Sequence, residues 1–147
     1  MLNTKDFSDL LILDKIFDEN SKLYIPKPGE KIIRKISDIN KKEEFILNMD
    51  RGRINLEKIK YQTRYSPLND IMLRLDTTRP RHQNPDGKFI ECPHIHIFKE
   101  GYGDKWAYPL DPNIFKNPND LSELLRDFLI YFHVIKIPQI IYTPSLL

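Results

Sequence analysis

The chain has 147 residues, 40% of them hydrophobic and 30% charged, with a formal net charge of +2. That size and balance fit one folded domain and exclude general disorder. The single cysteine, Cys92, excludes an intrachain disulfide and a Cys-rich zinc site. No signal peptide is expected, because the apolar run Leu10 to Leu13 is short and flanked by acids. No stretch approaches the roughly 20 apolar residues of a membrane span, so a soluble, cytoplasmic protein is the expectation.

A helix is predicted from Thr4, its capping residue, to about Asn20. Phe7, Leu10, Leu11 and Phe17 follow its period, and Leu13 and Ile16 widen the stripe. Ile25 to Gly29 is a proline-punctuated turn. Lys31 to Ile36 and Glu44 to Met49 read as strands. Asp50 to Arg53 is a charged turn. Arg53 to Tyr65 alternates in two phases, which places a bulge at Glu57-Lys58. Ile71 to Asp76 is a fourth strand. Asn84-Pro85-Asp86-Gly87 is the sharpest turn signal. The next strand centres on His94 to Phe98, and Lys105 to Leu110 is a short edge strand.

A second helix spans about Leu121 to His133, with Asp120 and Glu123 at capping-box spacing. The tail, Ile137 to Leu147, either adds an edge strand or packs along the domain. The connections are short, which favours antiparallel pairing. The expected fold is α+β over residues 1–147: an antiparallel sheet or half-barrel of five to six strands with an N-terminal and a C-terminal helix.

Residues 51–105 carry eleven Lys/Arg and seven Asp/Glu, against twelve and fourteen elsewhere. This mildly basic middle either favours an anionic partner or is a solvating surface. Strand alternation sorts it further. Ile95 and Ile97 share one face, and His94, His96 and Phe98 the other. Leu73 and Leu75 oppose Arg74 and Asp76. Ile59, Tyr61 and Thr63 oppose Lys60, Gln62 and Arg64. If the three strands are neighbours, one face gathers Lys60, Gln62, Arg64, Arg74, Asp76, His94 and His96.

Two histidines two residues apart on a strand can share a metal, with Asp76 or His82 as third ligand. They can equally hydrogen-bond to neighbours or do acid–base work. No established metal signature is present, so no metal and no cofactor are expected. RNA carries its own nucleophile, the 2′-hydroxyl. Its cleavage needs a base, an acid and cations for the phosphate. The candidate catalytic residues are therefore His94, His96, Arg74 and Asp76. The candidate nucleic-acid-binding residues are Lys60, Arg64, Arg79, Arg81, Phe98 and Tyr102, the two aromatics as base-stacking surfaces. Thr77 to Asn84 is either a clamp over the histidine strand or a solvent loop. Arg51-Gly52-Arg53 can contact phosphate or simply turn. Cys92 does not stand out as a nucleophile.

The segment IMLRLDTTRPRHQNPDGKFIECPHIHIFKEGYGDKWAYPL resembles the core of a family of small uncharacterised proteins of Gram-positive bacteria and their mobile elements. Its pattern is R-L-D, then H-x-N-P-D-G, then H-x-H, then E-G-Y-G-D-K-W-A. The resemblance implies a bacterial or prophage setting and supplies no activity. It highlights Arg74, Asp76, His82, Asn84, Asp86, Gly87, His94, His96, Gly101, Tyr102, Asp104, Lys105 and Trp106. The functional expectation is nucleic-acid handling, in its active form a metal-independent endoribonuclease of toxin type acting on RNA. The alternative is a non-enzymatic interaction protein, an antitoxin partner or an inhibitor of a nucleic-acid machine. No membrane partner is expected.

Overall fold

In the computed structural model, which describes residues 1–78 and 80–142, the chain opens with helix α1 (Thr4–Ile12). Asn3 caps it, not Thr4: the Asn3 side chain accepts from the Asp6 N–H at 2.7 Å. The helix stops well short of Asn20, and Lys15–Phe17 forms a strand, β1. Lys15 marks the change. Its buried Nζ donates to the carbonyls of Leu11, Leu13 and Phe132, each at 2.9 Å. It thereby occupies the carbonyl end of α1. Phe17 is buried on a strand and only coincidentally continues the helical spacing.

The remaining elements are β2 (Leu23–Tyr24), β3 (Lys31–Asp38), β4 (Glu44–Arg51), β5 (Ile59–Tyr65), β6 (Asp70–Asp76), β7 (His82–Gln83), β8 (Phe89–Ile90), β9 (His94–Ile97), β10 (Ala107–Pro109), α2 (Leu121–Tyr131), β11 (Val134–Lys136) and β12 (Ile140–Ile141). Eight strands form one sheet in the order β10-β9-β6-β5-β4-β3-β1-β11. Every pair in it is antiparallel except β1 with β11. The α+β architecture with a helix near each end is the one expected. The sheet is wider than five to six strands because β1 and β11, three residues each, are too short to show a period. β12 pairs with β2, and β7 with β8, outside the main sheet.

The bulge lies between Thr63 and Arg64, not at Glu57-Lys58. Asn55 to Lys58 is a turn closed by a Lys58 N–H to Asn55 carbonyl bond of 3.1 Å. Both helices cover the same sheet face. Phe132 meets Phe45 edge-on at 5.3 Å, Phe128 lies 6.2 Å from Tyr61, and Phe7 lies 5.3 Å from Phe98. That face holds the core, with Phe45, Leu47, Met49, Tyr61, Leu73 and Leu75 fully buried. The opposite face carries the polar members of β4, β5, β6 and β9. Among the described residues no helix is long and apolar enough to cross a membrane.

Candidate active site

The register of the three central strands builds the site. Lys60 on β5 sits opposite Asp76 on β6, which sits opposite His94 on β9. In the next row Gln62 faces Arg74, and Arg74 faces His96. Adjacent strands stand about 4.8 Å apart, so four functional side chains from two strands share one small patch.

Three of their atoms converge. Asp76 Oδ2 lies 3.3 Å from His94 Nε2 and 3.2 Å from His96 Nε2. The two Nε2 atoms are 3.2 Å apart. Arg74 completes the cluster through Nε, 3.3 Å from Asp76 Oδ2, and a terminal nitrogen 2.9 Å from His96 Nε2. Its other terminal nitrogen is held by the Asp104 carboxylate at 2.7 Å.

The outer ring nitrogens fix the tautomers. His96 Nδ1 is 2.8 Å from the Asp104 carbonyl, and His94 Nδ1 is 3.2 Å from the Glu91 carbonyl. A carbonyl only accepts, so each Nδ1 carries a proton and donates. His96 Nε2 faces the donor-only Arg74 and therefore accepts. A proton on His94 Nε2 satisfies both Asp76 and His96. Burial alone pushes the Asp76 carboxyl up. The bond from His94 and the charge of Arg74 outweigh it and hold the group well below the usual carboxylate range. Asp76 thus stays an anion that orients the imidazoles.

The triad lies in a cleft of about 420 Å³ also lined by Lys60, Arg74, Arg81 and His82. The histidines are not open on the surface as strand alternation implies. Their side chains are 1% and 0% exposed, against 19% for Asp76 and 22% for Arg74. The cover is the segment around β7. The His82 ring lies 4.5 Å from that of His96 and 6.1 Å from that of His94, edge-on to both. His82 Nε2 is 2.6 Å from the Lys105 carbonyl. Buried Asn84 pins the segment: it accepts from Ala107 N–H at 2.8 Å and donates to the Ala107 carbonyl at 2.9 Å. Of the Thr77 to Asn84 segment, His82 to Asn84 is therefore attached over the histidines and is no free solvent loop.

The other candidates divide. Lys60 and Arg81 line the cleft, the latter with its guanidinium 3.9 Å from the Phe89 ring centre. Arg64 shares the open face but bonds Asn48 and Asn69 and does not line the cleft. Arg79 lies outside the described residues. Phe98 is a correction: it is 5% exposed and packs on Phe7. β9 ends at Ile97, and the Phe98 N–H turns to the Met72 carbonyl at 2.9 Å, so alternation no longer governs its direction. Tyr102 is exposed and sits edge-on to Trp106, away from the cleft lining. Arg51 borders the cleft with its side chain already engaged. It is buried and donates to the carbonyls of Leu56 and Pro26. The Cys92 thiol is 3.6 Å from His94 Nδ1, but that nitrogen already has the Glu91 carbonyl, and burial pushes the thiol pKa up.

Asp76, His94 and His96 are also the one group of His, Cys, Asp and Glu side chains among the described residues placed to hold a metal ion. Of the two third ligands the sequence left open, Asp76 is the one that joins the pair. Periodicity missed Asp104 and Asn84. Only the recurring pattern pointed to them. The family model that matches spans residues 2–134. The chain belongs to DUF6978, a family of unknown function. No curated protein and no solved structure matches it. In this DUF6978 member the triad and its cleft are the most chemically equipped surface.

Proposed function

We propose that the protein handles nucleic acid and that its active form cleaves RNA without a metal ion. The observation that carries this reading is the Asp76–His94–His96 triad held against the Arg74 guanidinium, in a cleft that Lys60 and Arg81 also line. A neutral imidazole Nε2 takes the 2′-hydroxyl proton, and the 2′ oxygen attacks the adjacent phosphorus. The bond from phosphorus to the 5′ oxygen breaks, and an imidazolium protonates that oxygen. The products are a 2′,3′-cyclic phosphate and a 5′-hydroxyl. Arg74 and Lys60 hold the charge that builds on the phosphoryl oxygens.

In-line displacement places the attacking and leaving oxygens on opposite sides of phosphorus. Two Nε2 atoms 3.2 Å apart serve one side only. His82, whose ring packs edge-on over theirs from the covering segment, serves the other. Its Nε2 is engaged by the Lys105 carbonyl, which leaves Nδ1 for the substrate. The burial of His94 and His96 requires the segment carrying His82 to shift when RNA enters.

The test is cleavage of single-stranded RNA by the full chain, with and without EDTA, beside a His94→Ala/His96→Ala control. Cleavage that survives EDTA and is lost in the double variant supports the reading. Absence of cleavage by protein with its fold verified overturns it and leaves the non-enzymatic interaction protein.

A further inference from the structure

We propose that the same triad is a binding site for one first-row divalent transition ion, with Zn²⁺ as its natural probe, and that the ion arrests the acid–base centre. The site rests on geometry; the arrest rests on the catalytic reading above.

The three donor atoms form a nearly equilateral triangle with edges of 3.2, 3.2 and 3.3 Å. Ligands about 2.0–2.1 Å from one ion stand roughly 3.3–3.4 Å apart in tetrahedral geometry and roughly 2.8–3.0 Å apart in octahedral geometry. The triangle therefore lies close to a tetrahedral face with almost no movement of a ligand. The donor set is two imidazole nitrogens and one carboxylate oxygen, which suits Zn²⁺, Fe²⁺, Co²⁺ or Ni²⁺ rather than Mg²⁺ or Ca²⁺. Both imidazoles give their Nδ1 protons to backbone carbonyls; His96 keeps its lone pair on Nε2, inside the triangle, and an ion gains the one on His94 Nε2 by displacing the proton there. Asp76 is already an anion and needs no deprotonation to coordinate.

Arg74 is the competitor. Its guanidinium donates to His96 Nε2 at 2.9 Å and to Asp76 Oδ2 at 3.3 Å, so it uses the electron pairs an ion needs. It has somewhere else to go, because Asp104 holds it at 2.7 Å from outside the triangle. An ion enters when Arg74 withdraws onto Asp104. Once bound, it ties up the lone pairs that would take the 2′-hydroxyl proton.

The experiment titrates chelator-stripped full-length protein with Zn²⁺ by calorimetry, and with Co²⁺ by visible absorption. Three variants are compared: His94→Ala/His96→Ala, the isosteric Asp76→Asn, and Arg74→Gln. The expected result is one ion per chain and ligand-field bands from Co²⁺. Affinity falls at least tenfold in Asp76→Asn, vanishes in the double variant and rises in Arg74→Gln. RNA cleavage by wild type falls in proportion to Zn²⁺ occupancy. Absence of saturable binding, or binding unchanged in Asp76→Asn, overturns the site. Cleavage that rises with Zn²⁺ overturns the arrest. If no RNA is cleaved with or without the ion, the catalytic reading and the arrest both fall, while the ion site stands or falls by the titration.

Discussion

Asp76→Asn isolates the anion that organises the site. The substitution keeps the shape and removes the charge that accepts from Arg74 and His94. A hydrogen bond to a charged group is worth about 1.5–3 kcal/mol, and part of that offsets the cost of burying the carboxylate. Arg74 keeps Asp104 in the variant, so its charge is not stranded. The expected loss of stability is about 2 kcal/mol at pH 7, read by urea unfolding. Its pH dependence has a fixed sign. The folded-state pKa of Asp76 is depressed, so its contribution is complete above the unfolded value of about 3.9 and is lost as pH falls toward the folded value. Each pH unit below about 3.9 removes about 1.4 kcal/mol of the difference between wild type and variant. The two proteins should therefore be nearly equal in stability by about pH 2.5. A difference that is the same at pH 7 and pH 3, or no difference at pH 7, would refute the reasoning.

Lys15→Met strands three backbone carbonyls and should cost about 3 kcal/mol by urea unfolding. Burial pushes Lys15 from 10.5 down to about 7, against the pull of Asp14 and Asp38. Between those values the unfolded chain binds the extra proton, so wild-type stability should rise from pH 7 toward 10.5, and the variant should lack that slope. Asn84→Ala leaves the buried Ala107 N–H and carbonyl without their partner and should cost about 2 kcal/mol, with faster hydrogen exchange at Ala107. Lys60→Ala should weaken RNA binding for all sequences alike and lower the slope of log affinity against log salt by about 0.7.

The polar face could be read from the sequence because β5 and β9, and β6 from Leu73 to Asp76, alternate cleanly. Ile59 and Tyr61, Leu73 and Leu75, and Ile95 each set the phase for the polar partner beside it. Their neighbour order then brought Lys60, Asp76 and His94 into one row. Alternation fails where a strand stops. Phe98 is one residue past β9, and Met72 lies at the bulge, so each is buried where simple parity places it with the polar residues. Helix α1 was overdrawn because Leu13, Ile16 and Phe17 fall at helical spacing by chance while lying beyond the helix. The burial of His94 and His96 depends on a segment attached through Asn84 to β10, a contact between residues 23 positions apart that no local pattern encodes. The carbonyls of Glu91 and Asp104 that set the tautomers are likewise tertiary features.

The most direct measurement compares a short single-stranded RNA with the same strand carrying one 2′-deoxy sugar at the cleavage site, both in EDTA. The account predicts that the RNA is cut to a 2′,3′-cyclic phosphate and a 5′-hydroxyl. The substituted strand should stay whole at that position, and His94→Ala/His96→Ala should cut neither. Equal cleavage of both strands, or products ending in a 5′-phosphate, would contradict it.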